Sequence, residues 1–101
     1  MAFYDHKTIW ITGASSGIGK ALAVFLSQFN CNLILSARRV EVLKAVRMEC
    51  TDPEKVAVLA FDLKDYGLFP DIVKQAINTF GSVDIMVLNG GISQRLSLIH
   101  I

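Results

Sequence analysis

The stretch TGASSGIG, Thr12–Gly19, stands between a short apolar run and an amphipathic one, and its reading decides the fold. On its amino-terminal side TIWI (Thr8–Ile11) is β-branched and aromatic and reads as a strand. On its carboxyl side Ile18, Ala21, Leu22, Phe25, Leu26 and Phe29 recur at helical spacing, as one face of a helix. A glycine-rich turn from strand to helix aims first-turn N–H groups, and the positive end of the helix dipole, at an anion. Gly13 suits a tight turn with positive φ, Gly17 lets backbone approach a pyrophosphate, and Gly19 lets the helix pack closely on a sheet. Ser15 and Ser16 add hydroxyl donors, and Ile18 brings a first-turn N–H. The nearest rival, a nucleoside-triphosphate loop GxxxxGK[ST], fails at both informative ends: Ala14 replaces its first glycine and Ala21 its Mg²⁺-holding hydroxyl.

The same change of period repeats along the chain. CNLILSA (Cys31–Ala37) reads as a buried strand, and VEVLKAVRMEC as a helix with Leu43, Val46 and Cys50 inward and Glu41, Lys44, Arg47 and Glu49 toward water. VAVLAF (Val56–Phe61) is a third apolar strand. Phe69, Ile72, Val73, Ala76, Ile77 and Phe80 form an amphipathic stripe, with Pro70 in the first turn, where its missing N–H costs least. DIMVL (Asp84–Leu88) is the fourth strand and opens into a loop at Asn89-Gly90-Gly91. Near-continuous apolar strands alternating with helices predict an α/β, Rossmann-type doubly wound parallel sheet in the order 3-2-1-4. Two helices cover one face and one the other, and strand four is left as a bare apolar edge. The crevice opens between the ends of strands one and four, so Thr12-Gly13 and Asn89-Gly90-Gly91 converge.

Composition narrows the class. A chain of 101 residues, 52% hydrophobic and 19% charged, holds one domain at most and is not disordered. A formal charge of +1 gives no electrostatic footprint for nucleic acid or an anionic membrane. Cys31 and Cys50 match no metal spacing and read as reduced, buried thiols, and Trp10 reads as core and His6 as surface. MAFYDHK lacks an apolar signal core, and no run of ~18 apolar residues could span a bilayer, so a cytoplasmic protein is expected.

The spacing TGxxxGxG at Gly13, Gly17 and Gly19 resembles the cofactor loop of the short-chain dehydrogenase/reductase family, and three further stations match in order. LSARR (Leu35–Arg39) ends strand two, Asp62-Leu63 ends strand three, and Asn89-Gly90-Gly91 stands for the family's NNAG, with Leu88 in place of its first Asn. The resemblance covers Lys7 to about Arg95, and NGGISQR (Asn89–Arg95) points to one branch of the family. It implies that Asp62 and Leu63 border the adenine and that Asn89, Gly90 and Gly91 border the cofactor. An acid at the end of strand two would hold a ribose 2′-OH, yet Ser36-Ala37-Arg38-Arg39 carries none before Glu41. Arg38 can grip a 2′-phosphate with its guanidinium fork, which favours NADP over NAD; Arg39 either assists or starts the second helix as a solvated charge.

In the resembled family a Tyr, with a Lys four positions on, is the acid/base, and a Ser orients substrate. Tyr4 is followed at that distance by Thr8 and Tyr66 by Pro70, while Ser93 and Ser97 come too early, so no catalytic residue is assigned. Residues 1–95 are therefore expected to be the amino-terminal cofactor-binding part of a single Rossmann domain. The parent would be a homo-oligomeric oxidoreductase of roughly 250 residues acting on a small-molecule carbonyl or secondary alcohol. The alternative is a non-catalytic dinucleotide-binding or sensing module. Leu96–Ile101, LSLIHI, back-translates as CTG TCT CTT ATA CAC ATC, a transposase end sequence used in DNA library preparation, and is expected to be a non-native read-through tail.

Overall fold

β1 (Thr8–Thr12) is buried at all five positions, as befits a strand with neighbours on both edges and cover on both faces. The computed structural model describes residues 5–15, 17–62, 66–90 and 95–100. In it β1 pairs in parallel with β2 (Asn32–Ser36) on one side and β4 (Ile85–Gly90) on the other, and β2 pairs with β3 (Val56–Val58). The order β3-β2-β1-β4 is the predicted Rossmann-type arrangement. β3 is shorter than VAVLAF suggests, but the Leu59 and Phe61 N–H groups still donate to Leu35 and Ala37 at 2.9 Å.

Alternation along the strands builds two cores. Ile9, Ile11, Leu33, Leu35, Ile85 and Val87 face α1 (Gly17–Leu26) and α2 (Val40–Glu49), together with Leu43, Val46 and both cysteines. Trp10, Ile34 and Met86 face α3 (Phe69–Phe80) through Ile72 and Ala76. Pro70 sits in the first turn of α3, and Gly81 ends that helix at φ 92°, a left-handed conformation that glycine adopts without strain.

Four expectations need correction. In α1 the buried residues are Gly19, Ala23 and Leu26, while Ile18 and Phe25 are 50% and 52% exposed. The apolar stripe is wider than the face the sheet covers, and Gly19 lies on the buried side. Arg47 does not point to water: its Nε–H donates to the carbonyls of Pro53 and Val56, at 2.9 and 2.8 Å. Asn89 and Gly90 are strand residues of β4 and not a loop. Nor is β4 a bare edge. β5 (Arg95–His100) pairs with it antiparallel, from Ile85 opposite His100 to Gly90 opposite Arg95. An open edge presents a row of N–H and C=O groups, and β5 satisfies it.

Candidate functional site

Where β1 ends, Gly13 turns the chain at φ 62° and Gly17 starts α1 at φ 59°. Both lie in the left-handed region, so the two glycines are required by the backbone itself. Ala14 is fully buried, and its N–H donates to the Ser36 carbonyl at 3.1 Å, tying the turn to the end of β2. Ser15 is half-buried, Ile18 is exposed and Gly19 is buried against the sheet. A Cβ built on Gly17 would meet nothing within 4 Å, so the space over the start of α1 is open. An exposed helix start with free backbone approach suits a phosphate group.

The other predicted residues gather at the same end of the sheet. The Thr12 hydroxyl donates to the Val87 carbonyl at 3.3 Å, joining the end of β1 to β4 two residues before Asn89 and three before Gly90. Arg38 follows β2 by two positions and is exposed. Arg39 is also exposed, with extended backbone, and caps α2 through its carbonyl, which accepts from the Leu43 N–H at 3.3 Å. Arg39 therefore stands at the start of the second helix with its side chain in the open. Among the described residues neither guanidinium is in an ion pair. Asp62 is half-buried, next to Phe61, whose N–H holds the Ala37 carbonyl. Ser16, Leu63 and Gly91 lie outside the described residues.

A family profile described as short chain dehydrogenase matches residues 7–100. The chain belongs to the short-chain dehydrogenase family. Within it the sequence is 45% identical over 92 residues to human dehydrogenase/reductase SDR family member 7, covering 86% of this chain and 27% of that protein. This is the branch to which NGGISQR pointed. It is 34% identical over 96 residues to the NADP-dependent 3-hydroxy acid dehydrogenase of Schizosaccharomyces pombe, covering 92% of this chain and 37% of that one. Among solved structures, L-sorbose reductase from Gluconobacter frateurii, complexed with NADPH and L-sorbose, superposes with TM-score 0.75 at 29% identity. That match covers 87% of this chain and 34% of the reductase. The chain thus spans about a third of the length of these relatives.

Sequence reading missed three polar residues that hold this end and its opposite together. Trp10 Nε1 donates to Ser36 Oγ at 2.7 Å inside the core. At the far end of the sheet Asp84 accepts from the Thr8 N–H at 2.8 Å and returns its own N–H to the Thr8 carbonyl at 2.9 Å. An acid just before an apolar strand was the available signal for Asp84, since a carboxylate there needs donors. Nothing local to the sequence pairs Trp10 with Ser36.

Proposed function

We propose that this chain is the cofactor-binding part of an NADP-preferring short-chain oxidoreductase. The parent moves a hydride between nicotinamide and a small-molecule carbonyl or secondary alcohol. One observation carries the reading: an open helix start flanked by two positive-φ glycines shares its end of the sheet with an exposed Arg38. Backbone N–H groups of Ser15 to Gly19 hold the pyrophosphate, Arg38 grips the 2′-phosphate, and Asp62, Leu63, Asn89, Gly90 and Gly91 border the adenosine and ribose. The nicotinamide supplies the hydride chemistry. This chain's part is to bind and orient it, and its substrate-side acid/base is expected from sequence outside these 101 residues. The NADP-dependent and NADPH-bound relatives support the preference. Homo-oligomerisation and a cytoplasmic site belong to the same reading.

The test is Arg38→Asp in the full-length protein, with NADPH and NADH titrated against both forms by fluorescence. A charge-assisted contact contributes ~1.5–3 kcal/mol, so NADPH affinity should fall about ten- to a hundredfold while NADH affinity holds or improves. In the unsubstituted protein, salt should weaken NADPH binding more than NADH binding. A parent that prefers NADH, or an unchanged ratio, refutes the assignment. A non-catalytic module is the second reading; a downstream Ser and YxxxK in the full coding sequence would exclude it.

A further inference from the structure

Trp10 lies at the centre of β1 and is 1% exposed, yet it carries a polar N–H that the core must satisfy. Its register partner on β2 is Ile34, but its indole donates to Ser36, one side-chain repeat further toward the carboxyl end of the sheet. Ser36 is itself 1% exposed, so both members of the bond are withdrawn from water. Two rings fix the indole in place: Phe61 meets it edge-on at 6.1 Å and Phe69 stacks on it at 6.3 Å. Two backbone bonds hold the chain at the same point. The Ser36 carbonyl takes the Ala14 N–H of the glycine turn, and the Ala37 carbonyl takes the Phe61 N–H. Arg38 is the next residue, with an exposed side chain.

We propose that Trp10 is a positioning residue for coenzyme discrimination, which it exerts through Ser36 by fixing where the end of β2 presents Arg38. The proposal rests on reading Arg38 as the partner of the 2′-phosphate. A purely apolar residue at position 10 would fill the same core. The indole adds a directional bond to Ser36, the last residue of β2 and two positions before Arg38. Bidentate phosphate recognition tolerates little displacement of the guanidinium, so loosening this point costs the 2′-phosphate contact first. The pyrophosphate cradle, common to both coenzymes, keeps its own glycine geometry.

The experiment uses the full-length protein with Ser36→Ala, with Trp10→Phe, which keeps a ring and removes the donor, and with both together. Kd values for NADPH and NADH are measured for each, beside melting temperatures and an Arg38→Asp control. Each single substitution should lower the NADPH preference about three- to tenfold, the scale of one buried hydrogen bond. The double variant should be no worse than the poorer single one, because both remove the same bond. A merely structural role would lower the melting temperature and weaken both coenzymes equally. That result overturns the proposal, as does a double variant whose loss is the product of the two singles. If Arg38→Asp shifts the preference and Ser36→Ala does not, the Arg38 assignment stands and the positioning role is lost. If Arg38→Asp itself leaves the preference unchanged, both fall.

Discussion

Gly17 has a duty to the backbone and a second, proposed one to the cofactor, and one substitution reads both. Its φ of 59° disfavours any side chain, and a Cβ there would enter open space over the start of α1. Gly17→Ala should therefore cost about 1–2 kcal/mol of stability from backbone strain alone, seen in urea denaturation. It should also weaken NADPH and NADH by equal factors, because the pyrophosphate is common to both; undiminished binding of either would move the pyrophosphate away from this turn. The cysteines carry a different expectation. Burial raises the Cys31 thiol above its ordinary value, against the lowering charge of Lys55. Burial likewise raises Cys50, against the lowering hydrogen bond from Ser27. An unfolded chain loses these protons near the ordinary value of 9.0, while the folded chain keeps them. Their contribution to stability is thus complete below that pH and is lost as pH rises past it toward the folded values. Urea midpoints should fall between pH 8 and about pH 10. Replacing both cysteines by alanine should flatten that fall, and an equally steep fall without them would assign it to other groups.

Elements are joined by side chains that leave little trace in a hydrophobic pattern. Arg47 lies on the water-facing side of α2 by periodicity, yet its Nε–H is shared by two carbonyls, those of Pro53 in the short 3-10 turn Pro53–Lys55 and of Val56 in β3. Arg47→Met keeps the stem and removes the donor. It should cost about 1.5–3 kcal/mol, the scale of a hydrogen bond from a charged group, and should raise amide exchange in Val56–Val58 before other strands. Uniform exchange with unchanged stability would show that the contact contributes nothing. The contrast with α3 shows what could be read in advance. Ile72 and Ala76 at helical spacing and Pro70 in the first turn act within the helix, and the sequence shows them directly. α1 was misread at Ile18 and Phe25 because periodicity reports an apolar stripe without saying how much of it a neighbour covers. The candidate site was legible where local backbone decides, at Gly13 and Gly17, and at Arg38, whose place follows from the end of a strand. It was not legible where two distant side chains meet, as at Trp10 with Ser36, twenty-six positions apart. The loop reading of Asn89 and Gly90 failed for a related reason: glycine signals a loop, and only a partner strand overrides it.

Across the whole molecule, the β4 edge is where cover of the sheet is decided. The outer faces of α1 and α3 leave Ile18, Phe25 and Ile77 exposed, and among the described residues no helix is long and apolar enough to cross a membrane. The sheet edge, by contrast, is covered by Arg95–His100. If LSLIHI is read-through, this pairing is a substitute, because an open edge is a template that accepts any strand-forming segment. The encoding nucleotides should then run CTG TCT CTT ATA CAC ATC straight after the codon for Arg95, and genomic DNA specifying LSLIHI with other codons would end the idea. A protein-level consequence holds whichever way that falls. Deleting Leu96–Ile101 removes the partners of Ile85 through Asn89 and leaves only the Gly90–Arg95 position of the ladder. The shortened chain should self-associate through the freed edge, which sedimentation velocity would show as a concentration-dependent shift to larger species. Its amides in Met86–Leu88 should also exchange faster than in the 101-residue chain only while it is dilute, since association covers them again. If the shortened chain sediments no differently from the 101-residue chain at every concentration, β5 is not what keeps this edge from pairing.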